Sequence, residues 1–324
     1  MKPSTSARIA IKGSAFLSDR RLLYGFKLAL TLALLVWLWH YLRPHDFFSV
    51  WNNLDSKWAA LAFVLVPANI FLQFRKWQLL LRCAQPHCPA GVALYSLFAG
   101  FPLGLLTPGR WGELARALYV PSLPKEQVFM LSALDKIHTL LVNALLGSCA
   151  LLYFIEKKLL PDKWQTLAVL TLAVFLFLNV TLLVPGFFRR GLDLPRRLGF
   201  KKFALDASAL QIATQKLFAL YLLSFLFVAT YCVQMAVLVR GLAAIDLLPA
   251  LAGAAAIFFL KSALPITVGE LGIREGLAIF FLGRLHVPAA AAIHASLVLF
   301  VCNLVLPALA GLLWTWKRKN EDMI

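Results

Sequence analysis

The chain has 324 residues, 61% of them hydrophobic and only 15% charged, with a mean hydropathy of +0.78. A soluble domain is nearer half apolar and a quarter charged, and no stretch between the apolar blocks is long enough for a core of its own, which excludes a soluble catalytic domain within these residues. The net charge of +17, from 32 Lys and Arg against 15 Asp and Glu, sits mostly beside apolar runs, where basic residues face the cytoplasm and meet anionic lipid head groups; no basic surface interleaved with aromatics remains for nucleic acid.

In chain order, a basic tail over residues 1–21 (Lys2, Arg8, Lys12, Arg20, Arg21) precedes an apolar run over 22–42. That run is too long for a signal peptide and no small-residue cleavage site follows it, so it is expected to remain as an anchor. Further runs over 58–78, 128–155, 164–187, 217–239 and 289–316 are each long enough to cross about 30 Å of hydrocarbon. Two segments are shorter and broken: 91–120, with Pro102, Gly104, Pro108, Gly109 and Gly112, and 247–284, with Pro249, Gly253, Pro265, Gly269, Gly272 and Gly276. The expected fold class is an all-α polytopic membrane protein. It has a single membrane domain over 22–316 of six spanning helices plus two re-entrant hairpins, and a basic tail over 317–324. Cys83 and Cys88 flank His87, but two Cys and one His fall short of a four-ligand zinc site, and the remaining cysteines (Cys149, Cys232, Cys302) lie in apolar runs as small hydrophobes. No metal, cofactor or disulfide framework is expected.

Orientation follows from the Lys/Arg bias. The N-terminal tail, the group Arg75, Lys76 and Arg82, the cluster Arg189, Arg190, Arg196, Arg197, Lys201 and Lys202, and the terminal Lys317, Arg318 and Lys319 are all expected on the cytoplasmic side. With six spans this holds only if each broken segment enters and leaves on one side, 91–120 from the cytoplasm and 247–284 from the opposite face. Each half, about 22–158 and 164–316, then reads span, span, hairpin, span, in opposite orientation. The residues agree: Gly109-Arg110-Trp111-Gly112-Glu113 and Gly269-Glu270-Leu271-Gly272-Ile273 share a Gly-x-x-Gly spacing, 160 residues apart, each with a Pro just before and an Arg and a Glu within the next turn. Broken helices at matching places in inverted halves point to a transporter's substrate site, since irregular backbone must be protein-buried or line a wet cavity.

The stretch Leu105-Leu106-Thr107-Pro108-Gly109-Arg110-Trp111-Gly112-Glu113-Leu114-Ala115-Arg116, followed by Leu264-Pro265-Ile266-Thr267-Val268-Gly269-Glu270-Leu271-Gly272-Ile273-Arg274-Glu275-Gly276, resembles the paired signatures of the flippase-like membrane region of lysylphosphatidylglycerol synthases. The resemblance covers nearly the whole chain and implies movement of a polar lipid between leaflets. Bifunctional members carry an aminoacyl-transferase domain after this region; the sequence stops at Ile324, so aminoacylation is not expected of it.

Ionisable residues inside spans are costly and default to functional candidates. Arg110, Glu113 and Arg116 fall where a half-helix begins, suited to clamp a phosphate through the arginine forks and the helix N-terminus; alternatively Glu113 and Arg116, three apart, pair only with each other. In the second hairpin Arg274 and Glu275 are adjacent and should point apart on a helix, so Glu270, four before Arg274, is its expected partner, with Lys261 about three turns earlier. Asp135, Lys136 and His138 suit either a proton relay or a partnership with the hairpin charges. Lys27, Arg240 and Arg284 are expected to snorkel at span ends, and Asn69, Gln73, Asn143, Asn179 and Asn303 to bond helix to helix. No phosphate loop, zinc motif or nucleophile elbow appears, but the membrane potential offers about 2.3 kcal/mol per charge per 100 mV.

These residues point to a multi-pass protein of the cytoplasmic (inner) membrane, with both termini cytoplasmic. It would act as a flippase or scramblase for an anionic phospholipid or a polyprenyl-phosphate-linked lipid, and a homo-oligomer is compatible with it. The alternatives are a membrane transferase acting on a lipid phosphate, with Glu113 or Glu275 as base, and a scaffold that transports nothing.

Overall fold

The computed structural model describes residues 54–107, 109–182, 213–264, 266–268 and 270–321, together with scattered positions between 25 and 40. The first apolar run and its basic tail, the cluster over 189–202, Pro108, Pro265 and Gly269 therefore lie wholly or mostly outside the described residues. All regular structure within them is helical: α1 (Ser56–Ala84), α2 (Ala90–Leu106), a 3-10 segment (Trp111–Tyr119), α3 (Lys125–Glu156), α4 (Gln165–Leu182), α5 (Thr214–Leu242), α6 (Leu247–Ala263), α7 (Ile273–Gly283), α8 (Ala289–Phe300) and α9 (Leu306–Glu321). A π-turn, Val301–Val305, joins α8 to α9.

Five helical stretches are long and apolar enough to cross a membrane: Ser56–Ala84, Lys125–Glu156, Asp162–Thr181, Thr214–Leu242 and Ala289–Arg318. The chain is a multi-pass membrane protein. By contrast α2 and α6, at 17 residues each, rise only about 25 Å at 1.5 Å per residue, short of the hydrocarbon thickness. Both stop at the broken motifs.

Local chemistry sets the ends. Asp55 caps α1 by accepting the Lys57 N–H at 2.9 Å. Pro89, Pro124 and Pro288 precede α2, α3 and α8, where a missing N–H costs nothing. Where α2 breaks, Thr107 satisfies the freed backbone: its hydroxyl donates to the Leu103 carbonyl at 2.9 Å and accepts the Gly112 N–H at 2.6 Å. The chain then turns through left-handed conformations at Gly109 (φ 58°) and Arg110 (φ 56°). The second break repeats the device at Glu270 (φ 64°) and Gly272 (φ 85°).

The helices α1 and α5 pack along each other, α3 lies on α6, and α9 lies on α2. The last two contacts share one feature. A Cβ at Gly147 of α3 would sit 2.1 Å from the Phe259 Cβ of α6, and a Cβ at Gly311 of α9 would sit 2.0 Å from the Phe98 carbonyl of α2. Each 17-residue helix is thus seated against a glycine of a membrane-spanning stretch, the close approach that small residues permit between membrane helices. One buried core joins α3, α5, α6, α7 and α8 around Phe154, Met235, Ile257 and Phe281; a second joins α1, α2, α3 and α9 around Trp77, Leu81, Phe101 and Leu131.

Candidate functional site

Between the two cores lies a cavity of about 310 Å³. One wall is the polar face of α1, with Asn69, Gln73 and Lys76, which recur at helical spacing. A second is α3, with Asp135, Lys136, Thr139 and Asn143. The first broken motif contributes Gly109, Arg110, Trp111, Glu113 and Arg116, and the second contributes Glu270 and Arg274. Tyr231 of α5, Lys261 of α6 and Asn303 of the π-turn close it. Both motifs therefore border one space, although they stand 160 residues apart.

The first motif is held by a network of ion pairs. Arg110 pairs with Glu113. Arg116 donates from Nε to the Glu113 carbonyl at 3.0 Å, lies 3.8 Å from its carboxylate, and reaches Asp135 at 3.5 Å; its guanidinium lies over the Trp77 ring, 4.6 Å from the centroid. Asp135 also accepts from Lys76 at 2.9 Å. Lys136 makes no ion pair among the described residues; it donates to the carbonyls of Gly109 and Arg110 at 2.9 and 2.8 Å and so clamps the left-handed turn from α3. Glycine is required beside this network, because a Cβ at Gly104 would fall 2.6 Å from the Glu113 Cγ and one at Gly112 2.0 Å from the Leu103 carbonyl.

In the second motif the pairing differs from the one helical geometry leads one to expect. Arg274 and Glu275 do meet: Glu275 Oε1 accepts from Arg274 Nη2 at 2.5 Å and from Nε at 3.1 Å, and Ser296 donates to the same oxygen at 2.8 Å. The other carboxylate oxygen accepts the Gly272 N–H at 2.8 Å. Arg274 and Glu275 sit in the first turn of α7, where the long guanidinium can fold back over the helix end. Glu270 instead pairs with Lys261 at 2.6 Å. Arg110 and Glu270, one from each motif, lie within electrostatic reach of each other.

Of the residues singled out from the sequence, Arg110, Glu113, Arg116, Asp135, Lys136, Glu270 and Arg274 line the cavity; Glu275 stands behind Arg274. His138 does not line it: it is buried, with Nδ1 against the Leu134 carbonyl at 3.0 Å within its own helix. Lys76 is the main correction. Expected at a membrane surface, it instead faces inward, because α1 runs on to Ala84, and it is 2% exposed. Tyr231 stands in an apolar run with no sequence signal to mark it, yet its hydroxyl donates to Asn143 at 2.5 Å across the cavity. The amides mostly do bond helix to helix: Asn303 donates to Gln234 at 2.7 Å and Asn179 to the Leu141 carbonyl at 3.1 Å. Asn69 and Gln73 bond to each other along α1 and also face the cavity.

Among the described residues, the cavity walls carry six Lys or Arg side chains against three carboxylates. Exposed Ile137, Leu140 and Trp111 stand at its margin, so a charged interior adjoins an apolar flank. None of the curated proteins compared with the chain matches it. The profile of the family described as "Lysylphosphatidylglycerol synthase TM region" matches residues 25–311, a stretch that contains both broken motifs and every wall of the cavity, and the chain belongs to that family.

Proposed function

We propose that the protein is a flippase- or scramblase-like transporter that carries an anionic lipid between leaflets of the cytoplasmic membrane. The observation that carries this reading is the excess of buried cations over carboxylates in a cavity bordered by both broken motifs and flanked by apolar surface. Buried charge without a partner is expensive, so such an excess is suited to an anionic head group that brings the missing negative charge, while its chains stay in the lipid. Arg110, Arg116 and Arg274 are the phosphate-binding groups, held in place by Glu113 and Glu275.

An inverted repeat with two re-entrant hairpins is part of the proposal. Its support is the matched seating of α2 on α9 and of α6 on α3, each with a phenylalanine against a glycine, at offsets of 161 residues for Phe98 and Phe259 and 164 for Gly147 and Gly311. The left-handed pair Arg110 and Glu270, offset by 160, agrees with it. Such repeats place the substrate near the midplane and expose it to either side in turn. The transferase alternative finds less support, because Glu113, Asp135, Glu270 and Glu275, the described carboxylates in and beside the cavity, each engage a cation.

Arg274→Lys tests the reading, since it keeps the charge but loses the fork that grips Glu275 and Ser296 together. With the variant inserted and folded, translocation of a labelled anionic lipid in proteoliposomes is expected to fall at least about tenfold, or about 1.4 kcal/mol. Unchanged translocation would assign these arginines to structure alone.

A further inference from the structure

We infer that the head group taken by this cavity is a lipid phosphomonoester, a dianion, rather than the singly charged phosphodiester of a common phospholipid; this rests on the lipid-binding reading and sharpens it. The argument is a charge count. Among the described residues, six cations and three carboxylates line the cavity. Glu275, which grips Arg274 from behind, brings the carboxylates to four and leaves a surplus of two positive charges. The surplus can be located. Glu113, Glu270 and Glu275 each take one cation, Arg110, Lys261 and Arg274 respectively. Asp135 is shared between Lys76 at 2.9 Å and Arg116 at 3.5 Å, and Glu113, already paired with Arg110, lies 3.8 Å from the same Arg116. Lys136, the sixth, donates to two carbonyls and lies over the Trp111 ring, and it has no carboxylate within ion-pair distance among the described residues.

Three of the six are shielded from water, Lys76 at 2% exposed and Arg116 and Arg274 at 4% and 5%, and Arg110, Lys136 and Lys261 are partly buried. At low effective dielectric, uncompensated charges of one sign repel strongly. One phosphodiester would neutralise half of the surplus, whereas a phosphomonoester, carrying close to two negative charges at neutral pH, neutralises all of it. Donors without a partner remain to meet its extra oxygen, namely Arg110 Nε and Asn69 Nδ2. The exposed apolar margin at Ile137 and Leu140 favours a lipid over a soluble phosphate.

The test is equilibrium binding to the full chain in a neutral detergent, read by calorimetry, with short-chain phosphatidic acid, phosphatidylglycerol, phosphatidylcholine and glycerol 3-phosphate as probes. Phosphatidic acid is expected to bind at least about tenfold more tightly than phosphatidylglycerol, with phosphatidylcholine weaker still. Asn69→Asp puts one more carboxylate into the cavity while keeping the oxygen that accepts from Gln73 at 2.8 Å; it should weaken phosphatidic acid at least about tenfold and phosphatidylglycerol by less. Equal affinity for the two anionic lipids overturns the dianion but leaves the lipid-binding reading standing. Glycerol 3-phosphate binding as tightly as phosphatidic acid overturns the lipid source. Binding of none of the probes overturns both this inference and the transport proposal beneath it.

Discussion

Removing Glu275 separates a scaffold made of ion pairs from a set of incidental contacts. Glu275 is 1% exposed and accepts from Arg274, Ser296 and the Gly272 N–H. In Glu275→Ala the Arg274 guanidinium stays buried without its carboxylate, which costs about 3–5 kcal/mol, and the first N–H at the start of α7 loses its acceptor, about 1 kcal/mol more. At about 2–4 °C per kcal/mol for a chain of this order of size, the apparent melting temperature in detergent should fall by about 10 °C or more, as followed by size-exclusion chromatography after heating. Lys158→Ala is the control: its pair with Asp162 has side chains 75% and 62% exposed, so the change should stay within about 2 °C. Replacing both partners, Arg274→Met with Glu275→Met, should recover more than half of the lost stability, because the desolvation cost disappears with the charges. A melting temperature for Glu275→Ala within about 3 °C of the parent would refute the assignment of Glu275 as the group that holds Arg274.

Two glycines within the broken segments should respond in opposite ways to alanine. At Gly112 the added Cβ meets the Leu103 carbonyl at 2.0 Å, so Gly112→Ala should sharply reduce the yield of folded protein, whereas Gly276, with nothing within 4 Å, should accept alanine and gain up to about 1 kcal/mol from the stiffer helix; equal yields of folded, monodisperse protein would show that the first break is not so tightly seated. Lys76 should resist acetylation by a water-soluble amine reagent in detergent under conditions that modify Lys158 fully, as read by peptide mass spectrometry; equal rates would return Lys76 to the surface.

Much of this protein is written along the chain. A helix that crosses hydrocarbon must be apolar over about 20 residues, so the runs at 58–78, 128–155, 164–187, 217–239 and 289–316 mark five long helices, and the Pro-Gly clusters mark where α2 and α6 stop short. The Gly-x-x-Gly pairs likewise announce the two turns, because φ values of 58° and 85° at Gly109 and Gly272 come at low cost to glycine. What tertiary structure decided is partnership. Spacing rules assume regular helix, and at Arg274 the chain has just left a turn, so the guanidinium folds back on its neighbour Glu275 and frees Glu270 for Lys261. Nothing local distinguishes Lys76 from Arg75, since a basic residue near the end of an apolar run reads as a surface anchor; only the onward path of α1, with Asp135 opposite on α3, turns it inward. Tyr231 is one aromatic among many until α3 brings Asn143 against it. Long-range pairing of buried charges is fixed by which helices touch, and that follows from packing the whole chain rather than from any window of it.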